Sequence, residues 1–164
     1  MADGALVSLD FGVSYNGMIT DAAITVVAGK SSGTKRKLLK GTEEALLAGI
    51  AVVKDGVRTG DIGAAVEKVM TQYGFGIVRD LVGHGVGHEV HEEPDVPNYG
   101  IAGTGKKLAK GMTIAIEPMS TLGSERVVMD SDGWTIKTYD NSLSAHFEHT
   151  ILILEDSAEI LTLK

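Results

Sequence analysis

The 164-residue chain has 43% hydrophobic and 23% charged residues, 22 acids against 15 bases, a formal net charge of −7 and no cysteine. This composition belongs to an ordinary soluble globular protein with room for one domain, spanning residues 1–164. It excludes disulfides, thiolate metal sites and a cysteine nucleophile, and argues against broad nucleic-acid binding, which needs a concentrated basic face. No apolar run approaches the roughly 18 residues of a membrane helix. The start, Met1-Ala2-Asp3-Gly4, shows no secretory pattern, so a cytoplasmic protein with no membrane partner is expected.

Residues 5–13 and 17–28 alternate as strands around Asn16-Gly17, the strongest short hairpin signal. With those two as turn residues, Tyr15 faces Met18, Asp10 faces Ala23 and Gly12 faces Asp21. Asp10 and Asp21 then become neighbours on one side of the hairpin. Two carboxylates that close repel unless a cation lies between them, and Leu9, Phe11, Ala22 and Ala23 make that side an unexpected surface. A helix follows over Thr34–Lys54, with Leu38, Leu39, Thr42, Ala45, Leu46, Gly49 and Val53 as its apolar stripe. Its basic opening, Lys35-Arg36-Lys37 with Lys40, reads as a solvated face. A second helix, capped by Thr59 or Asp61, runs to about Tyr73 and ends at Gly74.

Gly76–Val82 is a short predicted strand. The segment Gly83-His84-Gly85-Val86-Gly87-His88-Glu89-Val90-His91 follows. The dinucleotide fingerprint fails there because His88 takes the last glycine position, and the helical zinc motif fails because His88 and His91 are one residue too close. What remains is a glycine-lined loop that brings a histidine close to a metal or substrate. Met112–Pro118 is a strand ending in Glu117, held extended by the proline after it. Residues 127–139 form a hairpin through Asp130-Ser131-Asp132-Gly133, rising into Trp134.

Residues 144–154 read as one strand with an acid in its middle. Alternation puts His146, Glu148 and Thr150 on one side and Phe147, His149 and Ile151 on the other. A carboxylate in such a run carries a large desolvation cost unless it is paired or ligates a metal. Asp10, Asp21 and Glu117 sit in comparable surroundings that hold almost no Lys or Arg. These four acids with His84 make a hard, oxygen-rich donor set suited to Mn, Fe, Co or Zn. Five donors exceed one tetrahedral site and match two divalent ions bridged by carboxylates, a pair that hydrolyses amide or ester bonds.

The local contexts resemble the methionine aminopeptidases: Leu-Asp-Phe-Gly-Val at Asp10, Thr-Asp-Ala-Ala at Asp21, Gly-His-Gly-Val-Gly at His84, Ile-Glu-Pro-Met at Glu117 and Phe-Glu-His-Thr at Glu148. The resemblance implies an α+β pita-bread fold, with a curved antiparallel sheet flanked by helices. It also implies two divalent metal ions (Co, Mn, Fe or Zn) on Asp10, Asp21, His84, Glu117 and Glu148. Glu117 then doubles as proton shuttle, and His91 contacts substrate and stabilises the oxyanion. Trp134 matches a tryptophan near the methionine pocket. The implied reaction removes the initiator methionine of nascent chains when the next residue is small, with ribosome association as a further expectation. A silent peptide-binding relative and a prolidase-like Xaa-Pro peptidase are the alternatives. Two departures stand out. In that family a further part of the domain precedes the first aspartate strand; the resemblance leads us to expect a chain lacking that part, with exposed strand edges and self-association. The family's usual glutamine is replaced by His146, expected to hydrogen-bond Glu148 or substrate.

Overall fold

In the computed structural model, which describes residues 1–163, the Asn16-Gly17 turn joins β1 (Leu6–Tyr15) to β2 (Met18–Val27). Asn16 and Gly17 have φ of 50° and 79°, the left-handed pair that a two-residue hairpin turn requires. Tyr15 pairs with Met18, Gly12 with Asp21 and Asp10 with Ala23, so the register follows the sequence expectation and the two aspartates share a face. The expected apolar enclosure of that face does not hold. Leu9 and Phe11 lie on the opposite face, 47% and 56% exposed, because successive side chains alternate. Strand β1 is the edge of the sheet, and its outer row of Leu9, Phe11, Val13 and Tyr15 is exposed. An apolar edge of this kind is a template for pairing with another chain.

Helix α1 (Gly33–Ala51) starts at Ser32, whose hydroxyl accepts from the Lys35 amide, and ends short of the expected Lys54. Its buried residues include Leu38, Thr42, Ala45, Leu46 and Gly49 of the expected stripe, together with Gly41 and Ile50. Helix α2 (Thr59–Tyr73) has Arg58 at its N-cap rather than Thr59 or Asp61. Asp61 acts from inside the first turn, accepting from the Arg58 amide at 2.9 Å, while Thr59 Oγ1 accepts from Lys106. Gly74, with φ 73°, closes the helix. Among the described residues no helix is long and apolar enough to cross a membrane.

The strands that follow are β3 (Gly76–Ile77), β4 (Gly83–Gly85), β5 (Glu92–Val96), β6 (Thr113–Ile116), β7 (Met119–Thr121), β8 (Val127–Met129), β9 (Ile136–Thr138), β10 (Ser144–His146), β11 (Glu148–Ile153) and β12 (Ala158–Ile160). The main antiparallel sheet runs β1-β2-β11-β6-β4-β5, with β12 on β11; β10-β7-β3 form a second sheet and β8-β9 a separate hairpin. Leu38, Leu46, Ile62, Val66 and Met70 of the helices pack against Ile114, Ile116, Ile151 and Ile153 of the main sheet in one hydrophobic cluster. The result is the α+β arrangement expected from the sequence.

Three strand expectations change. The strand over Gly76–Val82 shrinks to two residues. His84 sits in strand β4 rather than a loop. Its flanking glycines serve close packing, since a Cβ on Gly83 would meet Ala115 O, and one on Gly85 would meet Glu93 O, each at 2.4 Å. The strand over 144–154 is cut at Phe147, so His146 and Glu148 belong to different sheets.

Helix α2 docks on the 97–101 segment, where a Cβ on Gly63 would stand 2.2 Å from Tyr99 O. That segment carries Asn98, whose side-chain amide donates to the Glu117 carbonyl at 3.1 Å. Gly63→Ala is therefore expected to destabilise the fold by about 3 kcal/mol through overpacking, measured by urea denaturation. Gly33→Ala, with open space around it, is the neutral control.

Candidate metal centre

Four adjacent strands carry the candidate ligands. Asp21 lies in β2, Glu148 opens β11, Glu117 follows the end of β6 and His84 is the middle residue of β4. All four are buried, Glu148 most deeply at 2% exposure. Asp10 on the edge strand is open to solvent. Their donor atoms form three overlapping groups, Asp10-Asp21-Glu148, His84-Glu117-Glu148 and Asp21-His84-His91, in each of which the atoms lie within 4.8 Å of one another. The structure thus brings together all five residues singled out in the sequence, and Glu148 joins the two groups that contain most of the acids. His91 is exposed and stands edge-on to His84, with ring centroids 4.4 Å apart.

Hydroxyls hold this arrangement, and sequence reasoning missed them. Between β2 and β11 the ladder consists of Glu148 opposite Ala23 and His149 opposite Ala22. On one side of it, Thr150 Oγ1 accepts from the Asp21 amide and donates to the Asp21 carbonyl, both at 2.8 Å. On the other, Thr25 Oγ1 does the same for the amide and carbonyl of His146, again at 2.8 Å. Each hydroxyl stands in for a strand partner. In a sequence, a strand threonine signals only β-propensity. His84 is oriented by its own backbone neighbourhood: Nδ1 lies 2.9 Å from Gly85 O. A carbonyl only accepts, so Nδ1 carries a proton, and in the neutral ring the lone pair is on Nε2. That lone pair lies 3.4 Å from Glu117 Oε1.

The electrostatics explain what the site lacks in protein partners. Among the described residues, only His84 and His146 come within ion-pair distance of these acids, and no Lys or Arg does. Burial, followed by the negative charges of Glu117, Asp21 and Asp10, pushes the Glu148 carboxyl up to about 9. Its Oε1 is buried without a hydrogen-bond partner. A free imidazole lone pair against a carboxylate oxygen and an orphaned buried carboxylate oxygen both fit a divalent cation, and the oxygen-rich donor set with one or two imidazoles matches that chemistry.

A cavity of about 290 Å³ opens onto the cluster. Asp10, His91, Glu117 and His146 form its polar wall, and Leu81, Val82 and Met119 its apolar wall. The sequence reading did not single out the apolar wall, because nothing in the spacing of those residues marks it. Trp134 is not part of this cavity; it is 87% exposed near the turn of the β8-β9 hairpin. His146 does reach the site and lines the cavity, but of its two expected partners, Glu148 or substrate, Glu148 is not the acid it meets. Its Nε2 is 3.3 Å from Glu117 Oε2 and its Nδ1 is 4.0 Å from Asp10 Oδ2.

Two outcomes follow for the metal-free protein. A carboxyl raised above its ordinary value of 4.5 leaves stability unaffected below about pH 4.5 and costs progressively more as pH rises toward 9. Glu148→Gln removes that cost, so its stabilising effect is expected to grow by about 1.4 kcal/mol per pH unit. Urea unfolding in EDTA at pH 5.5 and 7.5 measures the difference. Thr150→Val leaves the Asp21 amide unpaired and is expected to cost about 1–3 kcal/mol in the same assay.

Residues 1–155 match Metallopeptidase family M24. The chain is 49% identical over 163 residues to the methionine aminopeptidase of Aquifex aeolicus, covering 98% of this chain and 63% of that protein. For the Clostridium perfringens methionine aminopeptidase the identity is 47%, covering 99% and 66%. The crystal structure of methionine aminopeptidase from Thermotoga maritima superposes with a TM-score of 0.96 at 49% identity, over 99% of this chain and 65% of that one. The chain therefore spans just under two thirds of the length of these relatives. The curled antiparallel sheet with its two helices is the pita-bread fold, and the chain belongs to metallopeptidase family M24.

Proposed function

We infer that this chain carries the catalytic centre of a methionine aminopeptidase, which removes the N-terminal methionine of a peptide when the next residue is small. The observation that carries this reading is the convergence of Asp10, Asp21, His84, Glu117 and Glu148 beside a cavity with one apolar wall. The names and 47–49% identities of the relatives support it. In this assignment the five residues would hold two divalent ions (Co, Mn, Fe or Zn). Such ions polarise a carbonyl and supply hydroxide near neutral pH.

The side chains do the rest. Leu81, Val82 and Met119 receive the apolar methionine side chain, and the exposed His91 at the rim donates to the scissile carbonyl as negative charge develops on its oxygen. The Glu117 carboxylate takes the proton of the attacking water and passes it to the departing amide nitrogen as the C–N bond breaks. Trp134, exposed on its hairpin, is left out of the substrate contacts. Nascent chains in the cytoplasm, at or near the ribosome, are the natural source of such substrates.

The test is release of methionine from Met-Ala-Ser by the protein loaded with Co(II) or Mn(II). Glu148→Ala should abolish it, Glu117→Gln should lower kcat by about 10²–10⁴-fold and His91→Ala by about 10²–10³-fold. Absence of turnover with every divalent metal would sink the reading. The prolidase from Pyrococcus furiosus shares the fold, with a TM-score of 0.79 at 27% identity, so faster cleavage of an Xaa-Pro dipeptide than of Met-Ala would favour that activity instead.

A further inference from the structure

Glu117 stands between two imidazoles. His84 Nε2 faces its Oε1 at 3.4 Å and His146 Nε2 faces its Oε2 at 3.3 Å. The two contacts are chemically different. His84 donates from Nδ1 to Gly85 O, so in its neutral form Nε2 presents a lone pair, which meets the carboxylate through a cation between them. His146 makes no such bond. Its Nε2 is buried and makes no hydrogen bond among the described residues, and its Nδ1 is beyond hydrogen-bond reach of Asp10.

The backbones on both sides of the Glu117–His146 contact are pinned. Thr25 Oγ1 bonds the amide and carbonyl of His146, and His146 pairs with Met119, two residues beyond Glu117. The Phe147 amide donates to Pro118 O at 3.4 Å, and Asn98 holds the Glu117 carbonyl. What remains free is rotation of the Glu117 side chain itself. A residue that both binds an ion and moves a proton needs that rotation stopped.

We propose that His146 is the positioning residue of Glu117: a small turn of the Glu117 carboxylate closes their 3.3 Å contact into a hydrogen bond from Nε2–H to Oε2, which directs Oε1 toward His84, where the ion would be held. A carboxylate oxygen has two lone pairs, so Oε2 keeps one for the proton of the attacking water. This role rests on the metallopeptidase reading of the site and concerns one donor, which an amide supplies as well as an imidazole does. None of the three donor groups includes His146, consistent with a residue that acts through Glu117 rather than as a ligand.

The test is titration of the metal-free protein with Co(II), followed by calorimetry and by visible absorption of the bound ion. The number of ions bound and the Co(II) spectrum should be the same in wild type, His146→Gln and His146→Ala. Affinity should stay within about threefold in His146→Gln and fall about 10–100-fold in His146→Ala. Adding His146→Ala to Glu117→Gln should cause no further loss, since the two residues act as one unit. Thermal melts of the metal-free variants, with His146→Leu as a second apolar replacement, separate a positioning loss from a folding loss. Loss of an ion or an altered Co(II) spectrum in His146→Gln would make His146 a ligand and overturn the proposal. Unchanged affinity in His146→Ala would overturn it too. These readouts need no turnover, so a chain that binds metal but cleaves nothing defeats the functional assignment and leaves the role of His146 still decided by its own measurement.

Discussion

Mutual repulsion among Asp10, Asp21, Glu117 and Glu148 is the constraint on which this structure depends. Three of the four are buried, none has a Lys or Arg partner among the described residues, and Glu148 is driven far above the usual carboxylate range by burial and by the other acids. Burying unpaired charge is among the most expensive things a fold can do. The rest of the molecule supplies the rigidity that keeps the acids together. Helices α1 and α2 pack on one face of the main sheet through Leu46, Ile62 and Val66, which leaves the other face free for the donors. Placing each candidate ligand on a strand or, for Glu117, directly after one fixes distances that a shared cation would need.

The sheet alone does not finish the task. A continuous strand through 144–154 would have put His146 and Glu148 on one ladder. The interruption at Phe147 instead sends His146 to the sheet with β7 and keeps Glu148 between β2 and β6. That change of sheet would leave backbone groups of Asp21 and His146 without partners, and the hydroxyls of Thr150 and Thr25 take them up. Full satisfaction of these groups keeps a buried polar network rigid. The same break turns the His146 ring to Glu117 and away from Glu148.

Much of the fold and most of the candidate site were legible in the residues, and the failures share a cause. The turn and register of the β1-β2 hairpin were readable to the residue because Asn16-Gly17 sets both locally. The helices were readable from their stripes, although the cap of α2 went to Arg58, whose amide bonds back to Asp61. The segment around His84 read as a loop because its glycines suggested freedom. They serve close approach of β5 and β6, which are neighbours in the sheet but not in the chain. Likewise, the position of Trp134 depends on where its hairpin stands relative to the sheet, which no local pattern encodes.

By itself, the sequence singled out the five candidate donors, their chemical hardness and the faces of the first hairpin. These follow from residue type and from alternation, which act over a few neighbours. Only the tertiary structure decided that Asp10 stays open while the other four donors are buried, that two threonine hydroxyls hold the strands at the site, and that His146 meets Glu117. Those outcomes depend on which strands lie side by side and where one of them breaks. Such pairing is set by packing across the whole sheet, not by any single stretch of chain.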